Sequence, residues 1–152
     1  MHGHGDIAPK PTTEADFEDL AVLRIDAMRE SLETIGRFDP VRARERLRAG
    51  FTPKFARYII ADGDRVGFVV VKPSEGDLLL DHLYISPPYQ GRGIGSIVLS
   101  KVIEEAAAAC KAIRVGALRG SRSNVFYLRH GFVQTGEAEW DIYYMRASDG
   151  SQ

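Results

Sequence analysis

Leu83-Tyr84-Ile85-Ser86-Pro87-Pro88-Tyr89-Gln90-Gly91-Arg92-Gly93-Ile94-Gly95-Ser96 is the stretch whose reading decides the fold. An apolar strand runs into two prolines, then into three glycines at alternate positions, then into a helical pattern. Proline has no N–H for a strand ladder, so the strand stops at Pro87. Glycine reaches positive φ and carries no Cβ, so several backbone N–H groups can converge on one point. The following helix leaves its first N–H groups unpaired and turns the positive end of its dipole toward the same place. Together these form an anion site suited to a diphosphate, with Arg92 able to add charge. The plainer alternative is a tight strand-to-helix turn with no ligand. Strand, prolines, glycines and amphipathic helix agree on the anion site.

Two common phosphate-binding motifs fail on this stretch. A Walker loop ends in Gly-Lys-Ser/Thr, and Gly95-Ser96 lacks the lysine. A dinucleotide fingerprint places its third glycine where Ser96 stands, and asks for an acid at the end of the next strand, about 20 residues on. Ile113 occupies that region, and Glu104 and Glu105 fall inside the helix.

Outward from the loop, the chain reads as alternating helices and strands. The opening ten to twelve residues suggest a short strand or loop. Thr13 and Asp16 form a capping-box pattern, followed by Phe17, Ala21, Met28, Leu32 and Ile35 at helical spacing, with Gly36 as the stop. Asp39-Pro40 is an N-cap with a first-turn proline, opening a second helix through about Arg48. Residues 55–61 and 66–72 flank Asp62-Gly63-Asp64 as a hairpin. Residues 78–85 are apolar on both faces, which predicts a central strand covered on both sides. A helix from Ile94 to about Cys110, a strand at 112–118, a short helix at 121–130 stopped by Gly131, and two strands within 132–147 complete the chain.

At 152 residues, with 44% hydrophobic and 27% charged residues, the chain predicts one globular domain over 1–152, residues 1–6 being flexible. A net charge of -1 argues against nucleic acid held by general electrostatics. The single cysteine, Cys110, excludes an internal disulfide, and no Cys/His set has zinc spacing, so no metal is expected. His2 and His4 suit a flexible terminus better than a metal site. No charged-then-apolar leader opens the sequence, and no apolar run nears the roughly 20 residues that cross a bilayer. The expectation is a cytoplasmic protein that uses no membrane.

The loop residues resemble a known family. Gln90-Gly91-Arg92-Gly93-Ile94-Gly95 is similar to the Gln/Arg-x-x-Gly-x-Gly/Ala loop of the GNAT acyltransferases, and Leu83-Tyr84-Ile85-Ser86-Pro87 to their fourth strand. Downstream, Ser123-Asn124-Val125-Phe126-Tyr127-Leu128-Arg129-His130-Gly131-Phe132 resembles their second motif, where an Asn and a Phe-Tyr pair precede Gly-Phe. The order of elements from Thr13 to Ala147 agrees as well. The resemblance implies an α/β (α+β) GNAT-like fold: a mixed, mostly antiparallel central sheet with splayed strands, flanked by about four helices. It implies an N-acetyltransferase with acetyl-CoA as cosubstrate, its diphosphate on the amides of Gly91, Arg92, Gly93, Ile94, Gly95 and Ser96. Leu83, Tyr84 and Ile85 would pair with the pantetheine arm, a backbone N–H near Leu83 polarising the thioester carbonyl. Transfer to the amine is direct in this family, and Cys110, late in an alanine-rich helix, reads as packing.

Amine acylation requires the ammonium to lose a proton and the leaving thiolate to gain one. Tyr127 stands at the family's tyrosine position and is the candidate acid, the alternative being a packed aromatic. Asn124 and Ser123 precede it on the same helical face. Asn124 is placed to hold amide groups of CoA or to order the helix start. Asp81 shares strand parity with Leu79, Leu83 and Ile85, the face expected to look onto the substrate. It is a candidate base, acting directly or through water, or a binder of the acceptor's positive charge, or a structural hydrogen-bonding group. The family often has a glutamate where this chain has Leu79. His82 is the third catalytic candidate, and points the other way unless a β-bulge intervenes.

By resemblance, residues 25–51 and 136–144 shape the pocket of a primary amine on a small molecule or peptide, with Met28, Glu33, Phe38, Trp140 and Tyr143 among them. Arg42, Arg44, Arg46 and Arg48 fan over two faces of one short helix. They read as a solvated surface, or as contacts to an anionic acceptor or a homodimer partner. A CoA-binding regulatory module without catalysis is the alternative to an enzyme.

Overall fold

The computed structural model describes residues 7–148. The expectations for residues 1–6, including His2 and His4, lie outside them. Among the described residues seven strands form one sheet in the order β1-β2-β3-β4-β5-β7-β6, with four α-helices. The strands are β1 (Ile7–Pro11), β2 (Ala56–Ala61), β3 (Asp64–Pro73), β4 (Asp77–Ile85), β5 (Ala112–Leu118), β6 (Val133–Glu137) and β7 (Asp141–Arg146). The helices are α1 (Phe17–Thr34), α2 (Pro40–Arg48), α3 (Ile94–Ala108) and α4 (Arg122–Arg129). The β4–β5 pair is parallel over Asp77–Leu80 against Ala112–Val115. The pairs β1–β2, β2–β3, β5–β7 and β6–β7 are antiparallel. The chain divides into two units, Met1–Val70 with His82–Val98, and Val71–Asp81 with Leu99–Gln152.

In the first unit, local chemistry sets the helix starts. The Thr13 N–H donates to the Asp16 carboxylate over 2.8 Å, closing the capping box ahead of α1. That bond is the main reason the Asp16 carboxyl sits below its ordinary range. Asp39 accepts from the Arg42 N–H at 3.1 Å, and Pro40 fills the first turn of α2. Asp62 and Gly63 have φ of 51° and 88°, as the primed turn of a tight hairpin between β2 and β3 requires. The core of this unit gathers Phe17, Leu20 and Ala21 from α1, Leu47 from α2, Tyr58 from β2 and Phe68 from β3. Burying each Leu or Phe contributes on the order of 1.5–3 kcal/mol.

Two of the four arginines of α2 pair with carboxylates of the neighbouring segment. Arg44 pairs with Glu18 and Arg48 with Glu14, and both guanidinium groups lie over the Phe17 ring. All four partners are largely exposed, so these pairs hold α2 against α1 only weakly.

In the second unit, β5 alternates strictly, with Ile113, Val115 and Ala117 buried. Tyr127, Phe132, Ile142 and Tyr144 are buried as well. α3 ends two residues short of the expected Cys110. Cys110 is exposed rather than packed as expected, because it takes a left-handed φ of 56° past the helix end, where the Lys111 N–H reaches back to the Ala106 carbonyl at 2.9 Å, a Schellman-type stop.

Strand β4 departs from expectation on one face. Leu78, Leu80 and His82 are buried, whereas Leu79, Asp81, Leu83 and Ile85 remain half-exposed. The strand keeps its alternation through His82, so the parity assigned to Asp81 holds.

Candidate active site

The loop after β4 belongs to the first unit. Pro87–Tyr89 forms one turn of 3-10 helix, with the Tyr89 N–H donating to the Ser86 carbonyl at 2.9 Å. Gln90 closes the turn by donating its side-chain amide to the Ile85 carbonyl at 2.7 Å. Gly91 and Gly93 adopt φ of 78° and 81°, a region that L side chains avoid, and a Cβ at either would project into open space. The Ile97 N–H donates to the Gly93 carbonyl at 3.1 Å, so α3 starts immediately past Gly93. Ile94 is buried and anchors the helix start, Gly95 and Ser96 are half-exposed, and Arg92 is exposed with its guanidinium 5.5 Å from the Tyr89 ring. Exposed glycine amides beside a helix N-terminus can hold a diphosphate, and the open space over them fits one.

Farther back along β4, Tyr84 and His82 stand with Phe68 in an aromatic cluster. The ring centres of His82 lie 6.0 Å from Phe68 and 5.7 Å from Tyr84. His82 is 6% exposed and faces the same side as Leu78 and Leu80. The burial alternation of β4 continues through His82, which sets it on the opposite side from Asp81.

The second unit holds the remaining candidates. Tyr127 is 5% exposed on α4, its ring edge-on to Phe126 at 5.2 Å and to Phe132 at 5.4 Å. Its carbonyl accepts from the N–H groups of His130 and Phe132, tying the end of α4 into β6. Asn124 donates to the carbonyls of Leu118 and Ser121, each at 2.9 Å, and accepts from the Tyr144 hydroxyl at 2.7 Å. The side chain therefore fastens the start of α4 to the end of β5. Asp81 lies 3.2 Å from the Lys72 ammonium, both side chains about a quarter exposed. The carboxylate already answers a cation supplied by β3.

Among the expected acceptor residues, Met28 and Phe38 are half-buried, and the Arg29 guanidinium lies 4.3 Å from the Phe38 ring. Glu33 pairs with Arg29 at 3.5 Å on the surface. Trp140 and Tyr143 are exposed. Among the described residues no cluster of three or more His, Cys, Asp or Glu is arranged to hold a metal, and no helix is long and apolar enough to cross a membrane.

Comparison with known domains decides the family. The acetyltransferase (GNAT) domain family matches residues 54–134, more than half of the chain and the whole of the loop. The chain belongs to the GNAT acetyltransferase family. It is accordingly an acyltransferase that moves acetyl groups. Solved acetyltransferase structures share its fold at low identity. PaiA N-acetyltransferase from Thermoplasma acidophilum, in complex with coenzyme A, is 16% identical with a TM-score of 0.76, over 93% of this chain and 99% of that one. An acetyltransferase from Thermus thermophilus is 17% identical with a TM-score of 0.75, over 96% and 99%. A GNAT acetyltransferase from Elizabethkingia anophelis with acetyl-CoA bound is 18% identical with a TM-score of 0.63, over 94% and 99%. No curated protein matches by sequence.

One residue of this GNAT chain escapes sequence reasoning. Arg24 continues the stripe of Phe17 and Ala21 on α1, three residues past Ala21, and is only 6% exposed. A charge inside an apolar stripe is its only signal in the sequence.

Proposed function

We propose that this GNAT enzyme moves the acetyl group of acetyl-CoA directly onto a primary amine of a small molecule or peptide. The loop after β4 carries the reading. Two glycines at positive φ, open space above them, and the first turn of α3 supply amides to a diphosphate, with Arg92 beside them. The half-exposed end of β4 at Leu83, Tyr84 and Ile85 offers backbone N–H and C=O groups to a pantetheine arm. Acetyl-CoA supplies an activated thioester. The deprotonated amine nitrogen attacks its carbonyl, the C–S bond breaks, the nitrogen sheds a proton to solvent, and the thiolate takes one.

Tyr127 is our candidate for that proton, because its hydroxyl is the acidic group at the family's tyrosine position. Asn124 supports it by ordering α4 through Leu118 and Ser121. Asp81 suits the attraction of an ammonium, being a half-exposed carboxylate that already pairs with Lys72. His82, packed against Phe68 and Tyr84, suits a core role better than proton transfer. We take 1–152 as one N-acetyltransferase domain with no metal, nucleic-acid or membrane partner, working in the cytoplasm.

The test is a screen of acetyl-CoA with amines, amino acids, polyamines, aminoglycosides and peptide N-termini, reading released thiol. Transfer to a primary amine is expected. Acetyl-CoA binding with no transfer to any member would instead favour a non-catalytic acyl-CoA-binding module.

A further inference from the structure

Arg24 sits in the first unit with its charge largely unanswered. A guanidinium has five N–H donors and stays protonated in proteins, so burial cannot neutralise it. Among the described residues only its Nη1 finds an acceptor, the Ala43 carbonyl of α2 at 2.8 Å, while Nε is buried with no partner. The Tyr84 ring lies 5.6 Å from the guanidinium carbon, near the outer limit of a cation–π contact. Among the described residues none of the ion pairs found on α1 and α2 involves Arg24; they join Arg29, Arg44, Arg48 and Arg65 to their carboxylates. A buried cation without an anion is costly unless a partner arrives.

The place of Arg24 on α1 points to what that partner looks like. Leu20 and Ala21, one turn before it, are fully buried in the core. Ala27, Met28 and Leu32, one and two turns after it on the same face, are only half-buried. Arg24 therefore marks where the closed core gives way to a partly open apolar strip, and Tyr84 beneath it is half-exposed too. A planar fork at the end of an apolar strip matches a carboxylate attached to an apolar body.

We propose that Arg24 is the anion anchor of the acceptor site, so that the amine this enzyme acetylates also carries a carboxylate, as an amino acid does. The inference rests on the acetyl-transfer reading above and narrows its substrate class. Arg24 binds the carboxylate and orients the molecule, and takes no part in proton transfer. Its tie to the Ala43 carbonyl fixes the guanidinium plane in advance of the ligand.

The experiment follows the Nε–H resonance of Arg24 in the 15N-labelled full chain saturated with CoA, the peak being assigned by its loss in Arg24→Lys. Free amino acids, the corresponding amino-acid amides and short peptides are titrated separately. At least one carboxylate-bearing amine should move the peak saturably, and its amide should not. Response to the free amino acids alone names them as the source, and response to peptides alone names a peptide C-terminus. A peak unmoved by every carboxylate, or moved equally by the amides, overturns the proposal. In turnover, the kcat/KM preference for carboxylate over amide should fall about tenfold or more in Arg24→Lys, since an ammonium cannot reproduce the bidentate fork. A responsive peak with no transfer to any amine would sink the acetyl-transfer reading and leave the anchor standing. Transfer without carboxylate preference and with a silent peak would do the reverse.

Discussion

Gly67 of β3 lies so close to the Tyr84 carbonyl of β4 that a Cβ added to it would come within 2.0 Å of the oxygen. The same Cβ would meet the Tyr84 carbonyl carbon at 3.0 Å and the Ile85 Cα at 3.1 Å, all backbone that cannot swing aside. Just beyond, the Ser86 N–H donates to the Val66 carbonyl at 2.8 Å, so the strands are held together at the end of β4. Gly67→Ala must push β4 away where Tyr84 and Ile85 enter the glycine loop. We expect a loss of at least about 2 kcal/mol in denaturant unfolding, together with weaker acetyl-CoA binding. An unchanged midpoint would mean that the close approach is not a constraint.

Gly93→Val tests the loop by two effects. A β-branched residue at φ of 81° costs about 1–2 kcal/mol of stability, and its side chain enters the space where the diphosphate is expected. Gly36→Val after α1, at φ of 71° with open space around it, imposes similar strain outside the glycine loop. Both variants should melt lower than the parent. Only Gly93→Val should lose the rise in melting temperature that acetyl-CoA produces, and ATP and NAD should give no rise in the parent. Equal shifts with all three ligands would discredit the loop as a CoA site.

Tyr127→Phe deletes one hydroxyl and keeps the ring that packs on Phe126 and Phe132. If Tyr127 protonates the thiolate, kcat should drop by roughly a hundredfold while CoA affinity stays unchanged. Full activity in the variant would return Tyr127 to the core as a packed aromatic.

Tyr58 gives the fold a defined alkaline edge. Burial, then its bond to Asp16 at 3.1 Å, pushes the phenol from an ordinary 10.0 up to about 12. The unfolded chain releases this proton near 10 and the native chain holds it to about 12. Its contribution is thus complete below pH 10 and is lost as pH rises through that window. Urea midpoints between pH 9 and pH 12 should fall less steeply in Tyr58→Phe than in the parent. Parallel slopes would contradict the assignment.

Most of the local structure was legible because it depends on neighbours in sequence. Thr13 with Asp16, Asp39 with Pro40, and Asp62-Gly63 each name their turn by side-chain chemistry, and the prolines and glycines between Ile85 and Ile94 do the same for the loop. What was not legible depends on packing between distant segments. The Lys72 partner of Asp81 comes from the preceding strand, and nothing in residues 78–85 announces it. The half-open face of β4 looks the same in sequence as its closed face, because both are built from leucines. Arg24 reads as an ordinary helix charge until α2 and Tyr84 close over it. Cys110 ends α3 in a left-handed turn that an alanine-rich run does not foretell.

The central claim is that backbone amides of the glycine loop hold the diphosphate of coenzyme A. Titrating CoA into the 15N-labelled chain and following the amide resonances of residues 91–96 tests it most directly. We expect saturable shifts concentrated on Gly91, Gly93 and the first turn of α3. CoA binding that leaves the 91–96 amides in place while others shift would contradict the claim.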